Sequence, residues 1–244
     1  MRRSLHGFKT AATCLAGALG VAGNAWAQSP AISVSQDAGG MELGYVKLVL
    51  LLASVSLAPA LLAVLTSFAR IVVVLFFLRA GLGAQEIPPN YVMVGLAILL
   101  TFVAMGPTLT VINDDAVAPL LAGDKDLAQA AEAAEAPARE FMLAQARPKD
   151  IELMVGLSGE PPGEPPMSAL AAAFAISELR AAFLIGFIIY LPFVVIDLVV
   201  GSTLASVGML SLPAPLLALP FKILMFVMVD GWHLLTETLI ATIR

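Results

Sequence analysis

Long runs of uncharged residues dominate the chain and predict hydrophobic helices. Residues 48–69 form 22 consecutive uncharged positions, which as a helix would extend about 33 Å, enough to cross a bilayer. Pro59 lies near the middle of this run and should kink the helix. A second run contains the predicted helix 91–112, after a short loop over 70–90. Residues 48–112 therefore predict a first hydrophobic helical hairpin.

A polar insert, residues 113–167, separates this hairpin from a second hydrophobic block. By count the insert holds 11 of the chain's 18 acidic residues and 4 of its 13 basic ones. Its middle, residues 124–141, is rich in Ala, Glu and Gln and should be helical. Residues 160–166 contain four prolines and predict a linker that cannot continue a helix.

The second hydrophobic block, residues 168–244, predicts another hairpin. We expect helices over about 179–208 and 217–241, joined by a proline-rich turn at 209–216. Four prolines of this block are predicted helix breaks: Pro192, Pro213, Pro215 and Pro220. The fold class is thus an all-α membrane protein with about four hydrophobic helices in two broken hairpins, around an acidic and partly helical insert.

The N-terminal residues have the order of features found in a signal peptide. Basic residues precede a short apolar run over 11–22, and an A-x-A pattern ends at Ala27. We predict that residues 1–27 are cleaved before Gln28, leaving an N-terminal periplasmic segment over 28–47. The alternative is a first membrane anchor, although the apolar stretch is short for a span.

The topology follows from cleavage. The mature N-terminus would lie outside the cytoplasm, and the loop carrying Arg70 and Arg79 inside it, as the positive-inside rule prefers. The acidic insert would then lie outside, the turn at 209–216 inside, and the C-terminus outside.

Composition narrows the class of protein. The chain is 59% hydrophobic and 13% charged, with a mean hydropathy of +0.93, which is atypical of a soluble enzyme. A net charge of −5 argues against nucleic acid as a partner. The single cysteine, Cys14, lies in the predicted signal peptide, and His6 and His233 form no ligand cluster. No nucleotide-binding, zinc-protease or serine-hydrolase motif is present, so we predict no catalysis, no metal and no cofactor.

Charged residues interrupt the second hydrophobic block. Five of them are candidates for a role in assembly or gating: Glu178, Arg180, Asp197, Lys222 and Asp230. A charge near a bilayer centre costs about 2.5–3.5 kcal/mol on insertion scales, so such groups should face protein or water and be paired. Ion pairs that hold helices together are one interpretation, and a proton or ion relay is the other. No second carboxylate lies at helical spacing from Asp197, which favours assembly.

The partner of Asp197 is open at this point. Asp197 lies farther from the predicted turn than Lys222 does, so a pair within one hairpin would be poorly matched in depth. A pair between neighbouring subunits, or one involving Glu178, is equally compatible with the sequence.

Three segments together resemble the signatures of the FliP family, a core component of the flagellar type III export gate. The first runs from Thr66 to Leu75 and continues to Pro88-Pro89-Asn90. The second is Leu191 to Val200, with Asp197 inside it. The third comprises Leu219-Pro220-Phe221-Lys222 and Val229-Asp230-Gly231-Trp232. A signal peptide on a polytopic membrane protein is also typical of this family.

The resemblance implies a non-enzymatic role. Members of the family form a pentamer that assembles with two smaller membrane proteins, FliQ and FliR, and with other export components. The assembly is a closed gate in the flagellar basal body at the inner membrane, largely above the membrane plane, and unfolded axial proteins pass through it. An injectisome relative, or a small-solute or ion transporter built on Asp197 and Lys222, is an alternative. The segment Pro137 to Leu143 looks more like flagellar members.

The predicted gate loop departs from the family pattern. Relatives carry consecutive methionines and adjacent prolines there, whereas this chain has Met209 alone, followed by Leu210, Ser211 and Leu212. We expect Met209, Leu210 and Leu212 to form an apolar seal in place of a methionine one.

Overall fold

The computed structural model describes residues 45, 48–49, 52–53, 56, 63–83, 88–159, 163–209 and 213–243. The chain divides into two compact units, 1–63 and 64–244. In the first unit the described residues are helical, and Ser56 Oγ donates to the Leu52 carbonyl at 2.8 Å. The predicted signal peptide, its cleavage site at Ala27 and Gln28, the segment 28–44 and Pro59 lie outside the described residues.

The second unit is built from helices, and no strand occurs among its described residues. In chain order the helices are α1 (Phe68–Leu82), α2 (Asn90–Ala104), α3 (Gly106–Ile112), a π-helical segment (Asn113–Val117), α4 (Ala118–Ala122), α5 (Leu127–Gln145), α6 (Pro148–Ser158), α7 (Met167–Ser206), α8 (Ala214–Met228) and α9 (Gly231–Ala241).

The predicted loop over 70–90 is wrong for most of its length, because α1 occupies Phe68–Leu82. Its sequence between Ile71 and Leu78 is apolar and free of Gly and Pro, so nothing in it interrupts a helix. The helix ends at Gly83, whose φ of +70° is the left-handed conformation that favours glycine after a helix.

The predicted single helix over 91–112 is interrupted. α2 ends at Ala104, and Pro107 in the first turn of α3 supplies no backbone N–H, so a new helix starts at Gly106. The axes of α2 and of the 106–122 segment differ by 70°. The polar residues after Ile112 do not end the helical path, which continues through the π-helical segment into α4.

The helix predicted over 124–141 is confirmed, with shifted ends, as α5. Asp126 precedes it and accepts from the Gln129 backbone N–H at 2.8 Å, while the Gln129 side chain accepts from the Asp126 N–H at 3.0 Å. This reciprocal pair is a capping box, which explains why the helix starts at Leu127.

The longest element, α7, starts twelve residues before the predicted helix 179–208. Residues 167–178 are mostly Ala, Leu and other helix-forming residues, so the helix begins directly after Pro166. Pro192 lies inside α7 and does not break it, contrary to the prediction. With 40 residues, α7 extends about 60 Å.

The predicted helix 217–241 consists of two helices. Pro213 and Pro215 stand at the start of α8, as expected for a turn before a helix, but Pro220 lies inside α8 and is not a break. The interruption comes at Asp230, the one described non-glycine residue with positive φ (+50°). Here α8 and α9 meet at a bend of 63°. The next residue, Gly231, lies directly against the Phe226 ring and leaves no space for a Cβ.

The helix α1 lies at the centre of the main core. Its buried residues pack with buried residues of α2, α7 and α9, and this core contains Ile71, Val74, Leu75, Leu78, Met93, Ala97, Ala182, Phe193, Leu235 and Leu239. Among the described helices, α7 is long and apolar enough to cross a membrane. Counting each bent pair, α2 with 106–122 and α8 with α9, as one span raises the number to three.

Candidate functional site

A buried ion pair joins the first turn of α1 to the N-terminal third of α7. The Arg70 guanidinium donates to Glu178 Oε1, and the two side chains are only 5% and 1% exposed. The predicted helix over about 179–208 would have placed Glu178 just before its first residue. Because α7 begins at Met167, Glu178 lies twelve positions after Pro166, inside the protein.

The same arginine binds two further elements. Arg70 Nη1 donates to the Thr242 carbonyl at 2.7 Å, and Nη2 donates to Gln145 Oε1 at 3.2 Å. Gln145 in turn donates to the Ile243 carbonyl at 2.7 Å. The carbonyls after α9 thus receive donors from α1 and α5, as the last carbonyls of a helix require. We call Arg70, Gln145, Glu178 and the carbonyls of residues 242 and 243 the polar joint.

A second ion pair connects α7 and α8. Lys222 Nζ lies 2.7 Å from Asp197 Oδ2. The predicted mismatch in depth between Asp197 and Lys222 is therefore wrong. The prediction failed because the two helix ends lie elsewhere than expected. Asp197 lies nine residues before the end of α7 at Ser206, and Lys222 lies eight residues after the start of α8 at Ala214, so the two side chains are at similar depth. The pair forms within one chain.

The end of α1 also contributes to the environment of Lys222. A Cβ placed on Gly83 would lie 3.5 Å from Lys222 Nζ, so the ammonium sits beside the C-terminal end of α1. The carbonyl end of a helix carries partial negative charge, which stabilises a nearby cation. The Lys222 side chain is 3% exposed, whereas that of Asp197 is 35% exposed.

Between the two ion pairs, α1 and α7 approach closely through glycines. The Phe193 ring of α7 rests on Gly81 of α1, and the Phe77 ring of α1 rests on Gly186 of α7. A Cβ on either glycine would come within 2.5 Å of the facing ring. The order of these contacts shows that the two helices run in the same direction.

A third set of polar contacts holds the insert against α7. Ser177 Oγ donates to Asp150 Oδ2 at 2.6 Å and accepts from the Arg147 backbone N–H at 3.0 Å. In addition, Arg139 of α5 donates to the Pro165 carbonyl at 2.6 Å, which holds the end of the linker that leads into α7. Two elements of the insert therefore position the start of α7.

Other predicted site residues are placed differently. Arg180 and Asp230 are exposed, and no ion pair to either occurs within the described residues. Met209 is 44% exposed after the end of α7, while Leu210 and Leu212 lie outside the described residues. The polar joint also contains Arg70, which was predicted only as a charge of the loop over 70–90, and Gln145, which was not predicted as a site residue. A usable signal was that Arg70 stands alone between two apolar runs, 48–69 and 71–78.

The ion pairs described above hold helices together, and no metal-binding cluster accompanies them within the described residues. Across the described residues, no cluster of three or more His, Cys, Asp or Glu side chains could hold a metal ion. His233 is exposed and lies 3.8 Å from Glu237 on the same helix. One ion pair connects α1 to α7, which are far apart in sequence, and the other connects the consecutive helices α7 and α8. Their geometry supports the fastening of one helix to another.

The outer surface of α7 and α8 is strongly apolar. Only 11% of the most apolar 18-residue window of α7 is buried. Large side chains of both helices are more than half exposed, including Phe183, Leu184, Phe187, Ile188, Leu198, Leu216, Phe221, Leu224 and Met228. Patches of this extent are found at interfaces with other proteins or with a membrane.

Comparison with known proteins gives consistent matches along most of the chain. The FliP family model matches residues 51–239. The flagellar biosynthetic protein FliP of Bacillus subtilis is 47% identical over 199 residues, covering 80% of this chain and 90% of the relative. The proteins of the same name from Caulobacter vibrioides and Aquifex aeolicus are 43% and 36% identical, covering 88% and 90% of this chain and 85% and 94% of the relatives.

Proposed function

The chain belongs to the FliP family, and on that basis we propose that it is a core subunit of the flagellar type III protein export gate. Its role is to form part of the channel through which unfolded axial proteins leave the cell. The relatives are named as flagellar biosynthetic proteins, which supports a flagellar export component in preference to an injectisome one.

The observation that carries the assembly part of this proposal is the uncovered apolar surface of α7. The helix extends about 60 Å, about twice the thickness of a bilayer's hydrocarbon core, so a simple span leaves much of its apolar length to be covered by other means. Neighbouring subunits provide such cover. A homo-oligomer with FliQ and FliR, pentameric as the family resemblance implies, fits this need, at the inner membrane in the basal body and partly at periplasmic level.

The turn between α7 and α8 is the proposed gate loop. It begins after Ser206, contains the exposed Met209, and ends at Pro213. Met209, with Leu210 and Leu212, supplies unbranched and branched apolar side chains that can close a ring of subunits by excluding water.

The internal pairing of Lys222 with Asp197 supports a structural role for these charges. A relay needs a series of titratable groups along a path, whereas Lys222 is 3% exposed and bonded to a single carboxylate. Both ion pairs instead fix the apolar helices against each other, so that a defined outer surface is presented to neighbouring subunits.

Deleting the gene should abolish swimming and the appearance of flagellar axial proteins in the culture medium, while their intracellular levels persist. A plasmid copy with the wild-type chain should restore both, and a copy with the exposed Glu152 replaced by alanine serves as the matched control. A deletion strain that still swims would refute the proposal. Normal flagella with loss of a different secreted protein would favour the injectisome alternative.

A further inference from the structure

Three buried polar atoms, two in the polar joint and one on Ser67 beside it in the chain, have no partner among the described residues. They are Ser67 Oγ, Arg70 Nε and Glu178 Oε2. The residues that carry them are 0%, 4% and 1% exposed. Leaving a buried polar atom without a hydrogen bond is costly, and the cost rises for charged groups, so the three atoms require an explanation.

The three residues are linked through the start of α1 and through the ion pair. Ser67 and Arg70 are three positions apart at the start of α1, a spacing that puts side chains on the same face of a helix. Long side chains on helices lean toward the N-terminus, which brings the Arg70 stem over Ser67. Glu178 Oε2 belongs to the carboxylate that already binds the Arg70 guanidinium through Oε1.

We propose that Ser67, Arg70 and Glu178 bind one internal water molecule. The hydrogen-bonding capacities match a single water: Arg70 Nε donates to it, Glu178 Oε2 accepts from it, and the Ser67 hydroxyl can do either. Internal waters typically make about three hydrogen bonds to polar groups that have no other partner. Ser67 is then a positioning residue, which orients the ion pair through the water.

A group from a neighbouring subunit cannot fill this place. Each of the three residues is buried within the single chain, so its polar atoms do not reach the surface on which another subunit would dock. A small molecule already inside the fold is the chemistry that fits, and water is the smallest one with both donors and acceptors.

Replacing Ser67 with threonine or valine tests the water through a matched pair of variants. Threonine adds one methyl group to the serine side chain and keeps the hydroxyl. Valine has the same shape as threonine but carries a second methyl group in place of the hydroxyl. In the detergent-extracted complex we expect the valine variant to melt roughly 5–10 °C below the threonine variant, because it leaves charged atoms without a partner. Equal melting temperatures would overturn the proposal.

The same two Ser67 variants, made in a second parent chain, distinguish a bound water from a hydrogen bond between Ser67 and the backbone. In a chain that also carries Arg70→Met and Glu178→Leu, the threonine–valine difference should vanish, since the water has lost its other two partners. If the threonine–valine difference in melting temperature persisted unchanged, the Ser67 hydroxyl would be hydrogen-bonded to the backbone, and the proposed water would be refuted. A density map of the wild-type complex at a resolution that shows waters gives an independent result. A peak within hydrogen-bonding distance of all three atoms is expected, and a map without one would refute the site.

Discussion

Replacing Glu178 with alanine is expected to prevent the subunit from folding stably and thereby to abolish export and swimming. The variant leaves the Arg70 guanidinium buried in the core without its counter-ion. Removing one member of a buried ion pair typically costs about 3–5 kcal/mol, and a domain is stable by only about 5–15 kcal/mol. The expected readout is loss of most of the detergent-extractable complex.

The control for this prediction is Glu152→Ala, which removes an exposed carboxylate from α6 and should leave the yield and melting temperature unchanged. Replacing both partners, Arg70→Met with Glu178→Leu, should recover part of the lost yield, because no unpaired charge then remains in the core. A Glu178→Ala variant that assembles as well as Glu152→Ala would contradict this interpretation of the polar joint.

Unequal effects are expected from the two members of the second ion pair. Asp197→Leu leaves the ammonium of Lys222, 3% exposed, without a partner, and should be strongly destabilising, by about 3–5 kcal/mol. Lys222→Met removes the buried charge instead and leaves Asp197, whose Oδ1 is buried without a partner among the described residues but whose side chain as a whole is 35% exposed, so a less deeply buried charge is left unpaired. We expect the methionine variant to be clearly the milder of the two.

Thermal unfolding and yield of the purified complex measure this difference. The double variant Asp197→Leu with Lys222→Met should resemble Lys222→Met rather than Asp197→Leu, since neither retains the buried ammonium. The reverse order, with Lys222→Met the more damaging change, would show that the carboxylate of Asp197 is the group that depends on the pair.

Much of the helical organisation was predictable from the sequence because the signals are local. The helix-forming composition of 124–141 predicted α5, and the prolines at 213 and 215 marked the turn before α8. The family resemblance was carried by contiguous segments and required no knowledge of tertiary contacts.

Helix interruptions were predicted less well. Pro192 and Pro220 lie inside helices, since helices in apolar surroundings tolerate proline better than exposed ones do. The breaks at Met105 and Asp230 went unrecognised. At the second of them, the bend depends on contact between Gly231 and Phe226 and on an unusual backbone conformation, neither of which hydrophobicity reveals.

The ion pairs depended on information that a hydrophobic pattern does not contain. Arg70 and Glu178 are 108 positions apart, and only the packing of α1 on α7 brings them together. For Asp197 and Lys222 the sequence predicted that each charge needs a partner but did not identify the pairing between them, because a shift of a few residues in the helix ends changes the relative depth of two side chains.

Assembly into an export gate should cover the apolar surface of α7 and α8. Native mass spectrometry of the complex extracted in mild detergent can detect that cover as bound protein. We expect a pentamer of this chain that retains two smaller hydrophobic membrane proteins. A well-folded monomer, carrying only detergent and no partner protein, would contradict it.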